Sequence, residues 1–161
     1  MKKLIVLLSV VLLPGCSLMS PVKVKPVARY ALQSAPVTPA SSRTRSYRTL
    51  LVNDIVSNPG YASSQMVYVN VPYKLKSFAD NAWVAPPASM LLPMLEQQIR
   101  LQRYFKAVVA TPFSGSTNYV LSSRLVMLQQ EFLQPTSQVR MAMRVSLIST
   151  RTNKVMAEKL F

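Results

Sequence analysis

The clearest signal in the chain is a period of two near its C-terminal end. Val139, Met141, Met143, Val145 and Leu147 occupy every second position, with Arg140 and Arg144 between them. That alternation predicts a long half-buried strand. Residues 119–132 alternate in the same way and place Leu121, Leu125 and Met127 on one face. The loop around Gln134-Pro135-Thr136 joins the two strands as an antiparallel hairpin, and Thr152-Asn153 turns the chain into a last strand over 154–161. Apolar stripes at strand spacing normally bury one face of a sheet, so the methionines here read as core packing.

Upstream, Leu50-Leu51-Val52 and Ile55-Val56 predict a first strand, ended by the turn signal Asn58-Pro59-Gly60. Residues 66–71 form a β-branched run, and Tyr73-Lys74-Leu75-Lys76 alternates apolar with charged. Asp80-Asn81 reads as a turn leading to Trp83 and Pro86-Pro87. A helix is predicted over 88–103, with Leu91, Met94, Leu95 and Ile99 on one face. Arg100 and Arg103 near its end suit the negative pole of the helix dipole. Pro93 either opens a shorter helix or kinks a longer one. Residues 105–111 predict a short strand, and 112–117 a loop. The expected fold over residues 47–161 is therefore α+β: a mixed, largely antiparallel sheet packed with one or more helices. Phe161 closes a strand with no cap or polar tail, so a further C-terminal element is expected.

The N-terminal end has a different pattern. Lys2 and Lys3 precede an apolar run over residues 4–13, which suits an export signal and is too short to span a bilayer. Leu13-Pro14-Gly15-Cys16 follows it and resembles the lipobox of bacterial lipoproteins, although Pro14 stands where that pattern prefers a small residue. The resemblance implies cleavage between Gly15 and Cys16, a covalent lipid on Cys16, and residues 1–15 as the leader. Ser17 after the cysteine implies sorting to the outer membrane. The alternative is an ordinary leader with an incidental cysteine. Residues 16–46 then read as a flexible tether, interrupted by prolines and rich in Ser and Thr. It carries Lys23, Lys25, Arg29, Arg43 and Arg45, with Arg48 just beyond, before the first acid at Asp54. These are either solvated linker charges or contacts to an anionic membrane surface, worth about 1 kcal/mol each. Tyr30-Ala31-Leu32 is an apolar patch within the tether that can dock on the domain.

Composition narrows the chemistry. The chain has 19 Lys and Arg against 5 Asp and Glu, for a net charge of +14, and loses only Lys2 and Lys3 with the leader. Such a balance seeks an anionic partner. With an export signal, lipid head groups fit better than nucleic acid. There is no histidine and a single cysteine, so a Ser-His-Asp triad, a disulfide within the chain and a Cys cluster for zinc are all excluded. Three glycines cannot build a phosphate-cradling loop. The five acids are dispersed. A binding or assembly role is expected rather than an enzyme, with no metal and no cofactor beyond the covalent lipid.

The order of landmarks resembles a known family. The lipobox cysteine is followed by Tyr30-Ala31-Leu32, a first strand, Pro59-Gly60-Tyr61 and Met66-Val67-Tyr68. Tyr73-Lys74-Leu75, Trp83 shortly before Pro86, a Leu-rich helix and two long strands complete the series. This is similar to the ABC-type transport auxiliary lipoproteins, which include the paraquat-inducible protein C lipoproteins. The resemblance implies an α+β fold, usually continued by another helix. It also implies a periplasmic docking role at the outer membrane, beside an MCE-domain (mammalian cell entry) protein and an inner-membrane ABC transporter that move lipids between membranes. Tyr68 and Trp83 fall in matching segments, where they either face a partner or pack in the core. The other functional reading is an independent lipid- or lipopolysaccharide-binding envelope lipoprotein. Whether the protein forms a homo-oligomer stays open.

Overall fold

Strand alternation over residues 119–131 makes the element on which the rest is built. The structure is a computed structural model that describes residues 25–34 and 46–161. Its strands are β1 (Ala28–Tyr30), β2 (Ser46–Val52), β3 (Val56–Ser57), β4 (Gln65–Val71), β5 (Lys74–Trp83), β6 (Phe105–Ala110), β7 (Tyr119–Glu131), β8 (Gln138–Ser149) and β9 (Lys154–Leu160). One helix, α1 (Pro87–Leu101), lies between β5 and β6. All nine strands join a single mixed sheet.

β7 is the spine. Along one edge it pairs in succession with β2 at Tyr119–Leu121, β3 at Arg124–Leu125 and β4 at Gln130–Glu131, all parallel. Along the other edge it pairs antiparallel with β8 over nearly its whole length, and β9 follows antiparallel. β6 lies parallel beside β2, and β1 parallel beside β5. Parallel pairings thus outnumber antiparallel ones, although the longest ladder is the β7–β8 hairpin. Parallel partners require crossovers, and alternation along one strand does not reveal which strand it meets. The sheet is therefore mixed, and most of its paired length is antiparallel because the β4–β5, β7–β8 and β8–β9 ladders are the long ones; the helical share is small.

A slip in register between Leu125 and Met127 interrupts the β7 alternation. The buried positions run Leu121, Ser123, Leu125 and then Leu128, as expected where a bulge adds one residue to a strand. Met127, assigned to the core face by simple alternation, is turned into a groove on the other side. Two core clusters form along β7. Leu50, Val52, Val108 and Leu121 make one; Ile55, Ala88, Leu125 and Leu128 make the other. Leu92 and Leu95 of α1 pack against both clusters, Ile99 against the first and Leu91 against the second. Leu92 thus takes the place expected of Met94. Pro93 lies inside α1, so the longer helix is the correct reading. Its missing N–H leaves the Ser89 carbonyl without a helical partner, and both residues are exposed.

Two further segments differ from expectation. Asp80-Asn81 is not a turn but part of β5, where Asn81 is in register with Ala28 and Asp80 accepts from Lys25 Nζ at 3.1 Å. Residues 28–30, within the segment read as tether, form a strand of the sheet, and the Val84 N–H donates to the Tyr30 carbonyl at 2.9 Å. Leu32 packs against the Ile55–Leu125 cluster, so the Tyr30-Ala31-Leu32 patch docks on the domain as expected. No helix among the described residues is long and apolar enough to cross a membrane.

Candidate functional site

The features that set one end of the molecule apart follow from register. β4 runs parallel to β7 with Val69 opposite Glu131, and the Phe132 N–H donates to the Val69 carbonyl at 2.8 Å. The β4–β5 turn at Pro72-Tyr73 and the β7–β8 loop over 132–137 are therefore brought side by side. Between them they expose Val71, Tyr73, Leu75, Phe132, Leu133 and Val139. Together these give that end of the sheet an apolar tip, with Leu75 and Leu133 toward one face and Phe132 and Val139 toward the other, and exposed apolar groups so gathered mark an interaction site.

Tyr73 is the most unusual of these residues. It is fully exposed, at 105 %, with φ of 63°. A left-handed backbone costs an L-residue roughly 1–2 kcal/mol and is ordinarily left to glycine. An aromatic residue here serves neither the core nor the turn. Tyr68 lies just behind the tip, half-buried. Its ring is 4.6 Å from that of Phe78 and 5.9 Å from that of Phe132, centroid to centroid, with Lys76 Nζ 6.0 Å from its centre. Beyond the reach of α1, Val139 and Met141 are open on the helix side of the sheet.

On the opposite face, a groove of about 410 Å³ runs between the hairpins, with Val69, Leu75, Met127 and Leu133 among its apolar lining. A polar chain crosses it. The Tyr61 hydroxyl donates to Gln129 Oε1 at 2.6 Å, and Gln129 Nε2 donates to Glu131 Oε1 at 2.8 Å. Arg140 holds the Glu131 carboxylate at 3.3 Å. Burial pushes the Tyr61 hydroxyl above its ordinary pKa, and the nearby Glu131 carboxylate adds to the rise. A raised pKa means that the unfolded chain loses this proton first, so the stability present below the unfolded value declines as pH climbs through the folded one. The urea midpoint should fall as pH rises past about 10, the ordinary tyrosine value, and Tyr61→Phe should flatten that dependence.

A second groove, of about 600 Å³, lies at the other end of the sheet, where Arg100, Arg103 and Lys106 gather with Tyr47 and Phe105. Arg100 also pairs with Glu96. This basic cluster was missed in the sequence because its members come from the end of α1 and the start of β6.

The residues singled out in the sequence do not converge. Trp83 packs against the Ile55–Leu125 cluster, whereas Tyr68 belongs to the aromatic group behind the tip. Lys25 pairs with Asp80, and Arg29 is exposed on β1. Arg48, near the far end of β7, hydrogen-bonds the Tyr119 hydroxyl with its guanidinium 5.3 Å from that ring's centre. Gly15, Cys16, Lys23, Arg43 and Arg45 lie outside the described residues. Tyr73, Phe132 and Leu133 went unremarked as surface residues. A tyrosine directly after proline in a two-residue turn, where glycine is favoured, is the signal that points to the first of them.

The molecule is thus a mixed-sheet α+β domain with an apolar tip at one end of the sheet and a basic groove at the other. It belongs to the ABC-type transport auxiliary lipoprotein component family, whose model matches residues 30–161. That membership makes it a cell-envelope lipoprotein associated with ABC transport. The fold is similar to the crystal structure of protein XCC0632 from Xanthomonas campestris, with a TM-score of 0.72 at 18% identity, covering 83% of this chain and 75% of that one. It also resembles the crystal structure of an uncharacterized protein, with a TM-score of 0.60 at 14% identity, covering 85% and 78%. No curated protein matches the chain by sequence.

Proposed function

We propose that the protein is the lipid-anchored docking subunit of an MCE-type intermembrane lipid-transport system, and not an enzyme. Family membership across residues 30–161 is the observation that carries this reading. The leader is cut before Cys16, and acyl chains on that cysteine hold the domain at the periplasmic face of the outer membrane. The domain then presents its surfaces to an MCE-domain protein served by an inner-membrane ABC transporter. Two surfaces suit a protein partner. One is the helix-side face of β8 at Met141, which is exposed beyond the reach of α1. The other is β9: all seven of its residues are exposed, and among the described residues it pairs only with β8, leaving an edge where a partner strand can add. Photo-crosslinkers placed in living cells at Met141 and Met156 should capture an MCE protein as the main neighbour. Recovery of unrelated envelope proteins alone defeats the proposal.

The second reading, an independent carrier of lipid or lipopolysaccharide, draws support from the Arg100–Arg103–Lys106 groove, whose charge suits phosphate. Native mass spectrometry separates the two, since a carrier retains stoichiometric lipid and a docking subunit has no need to.

A further inference from the structure

We propose that the two adjacent hairpin tips form a second, non-covalent membrane contact. In it, Tyr73, Phe132 and Leu133 enter the boundary between head groups and acyl chains, and Lys74 and Lys76 meet anionic head groups. This rests on the reading of Cys16 as the lipidated residue and adds a fixed orientation to it.

Chain direction is the first argument. β5 starts at the tip and runs away from it, and β1 lies parallel to β5. Residues 25–27 therefore enter β1 from the tip side, where Lys25 pairs with Asp80. Asp80 is six residues along β5 from Lys74, a distance of about 20 Å. Cys16 precedes Lys25 by nine residues, which span at most about 30 Å when extended. A bilayer touching the tips is thus within the anchor's reach. The far end of β7, with the basic groove, lies roughly 40 Å further along the strand.

The chemistry of the tip is the second. Apolar side chains project from two turns, backed by the rings of Tyr68 and Phe78. No ion pair among the described residues involves Lys74 or Lys76, while the acid nearest the tip, Glu131, is held by Arg140. The local field is therefore positive, complementary to an anionic surface. Amphipathic surfaces bind bilayers through buried apolar area combined with this attraction. Tyr73 supplies the third argument, since its ring is held out at a backbone angle that glycine would adopt without strain.

The test measures the tip apart from the anchor. The chain from residue 16 carrying Cys16→Ala is sedimented with vesicles of phosphatidylethanolamine and phosphatidylglycerol, with and without the tip residues. Phe132→Asp combined with Leu133→Asp should lower partitioning about tenfold or more. Tyr73→Gly should lower it several-fold while the melting temperature holds or rises, which removes misfolding as the cause. Equal partitioning of parent and variants overturns the proposal. So does a tip variant that keeps its vesicle binding and loses self-association, because a second copy then occupies the surface. In lipidated protein, an indole introduced by Phe132→Trp should be quenched by acyl-chain-brominated lipid, whereas native Trp83, packed in the core, should not. An unquenched indole on vesicle-bound protein overturns the insertion and leaves the anchor standing. Failure of lipidation with tip-dependent partitioning intact refutes the anchor alone and supports the tip.

Discussion

Replacing Cys16 with alanine is expected to abolish fatty-acid labelling of the protein, keep residues 1–15 attached and remove it from the outer membrane. The chain holds one thiol, so no other sulfur can take the acyl chains. The size of the effect follows from additivity: each buried methylene contributes about 0.8 kcal/mol, one chain gives only reversible binding, and two or more hold a protein stably. The tip contact proposed above is far weaker and does not replace them. Metabolic labelling with palmitate, membrane fractionation and the mass of the product measure all three outcomes together. Normal trimming of the Cys16→Ala chain and its continued presence in the outer membrane would refute the anchor.

The extent to which the fold was legible follows from where side-chain pattern alone decides structure. Alternation located β7 and β8 within a residue or two, because one face of each is buried for part of its length and a strand has no other way to sort its residues. Pairing was not legible. β2, β3 and β4 lie in file along one edge of β7, and nothing in their own residues names that partner. The bulge after Leu125 was equally hidden, since one extra residue reverses the sides of Met127 and Leu128 without altering how apolar either is. Asp80-Asn81 read as a turn because both residues favour one. Pairing with β1, and the Lys25 ion pair, hold them extended instead.

The site was less legible than the fold. Six basic residues close together in sequence read either as solvated linker charges or as contacts to an anionic membrane, yet Arg48 stands near the opposite end of β7 from Lys25 and Arg29. Lys74 and Lys76 came under notice only as the polar half of a strand. Their relation to Phe132 and Leu133 exists because β4 and β7 are in register, a long-range fact. The family resemblance, by contrast, rested on landmark order, which survives without any knowledge of pairing. It was right about membership.

Leu125→Ala is expected to destabilise the domain by about 3–5 kcal/mol, and Met141→Ala by less than about 1 kcal/mol. Both residues belong to the apolar stripes of the same hairpin, and sequence alone ranks them together. Leu125 is 0 % exposed, enclosed by Ile55, Ala88 and Leu128 with Leu91, Leu92 and Leu95 of α1 packed against that cluster. Shortening it leaves a cavity that the helix and sheet cannot close without moving together. Met141 sits directly opposite buried Leu128 on the helix side of the sheet, yet is 48 % exposed because α1 does not extend over it. Water already reaches its side chain, so little transfer energy is lost. A domain of this size is ordinarily stable by about 5–15 kcal/mol, which makes the first change a large fraction of the whole. Urea unfolding of the two variants beside the parent measures the contrast. Equal shifts in midpoint would mean that something covers Met141 in solution as fully as α1 covers Leu125, and the open half of that face would then be buried core.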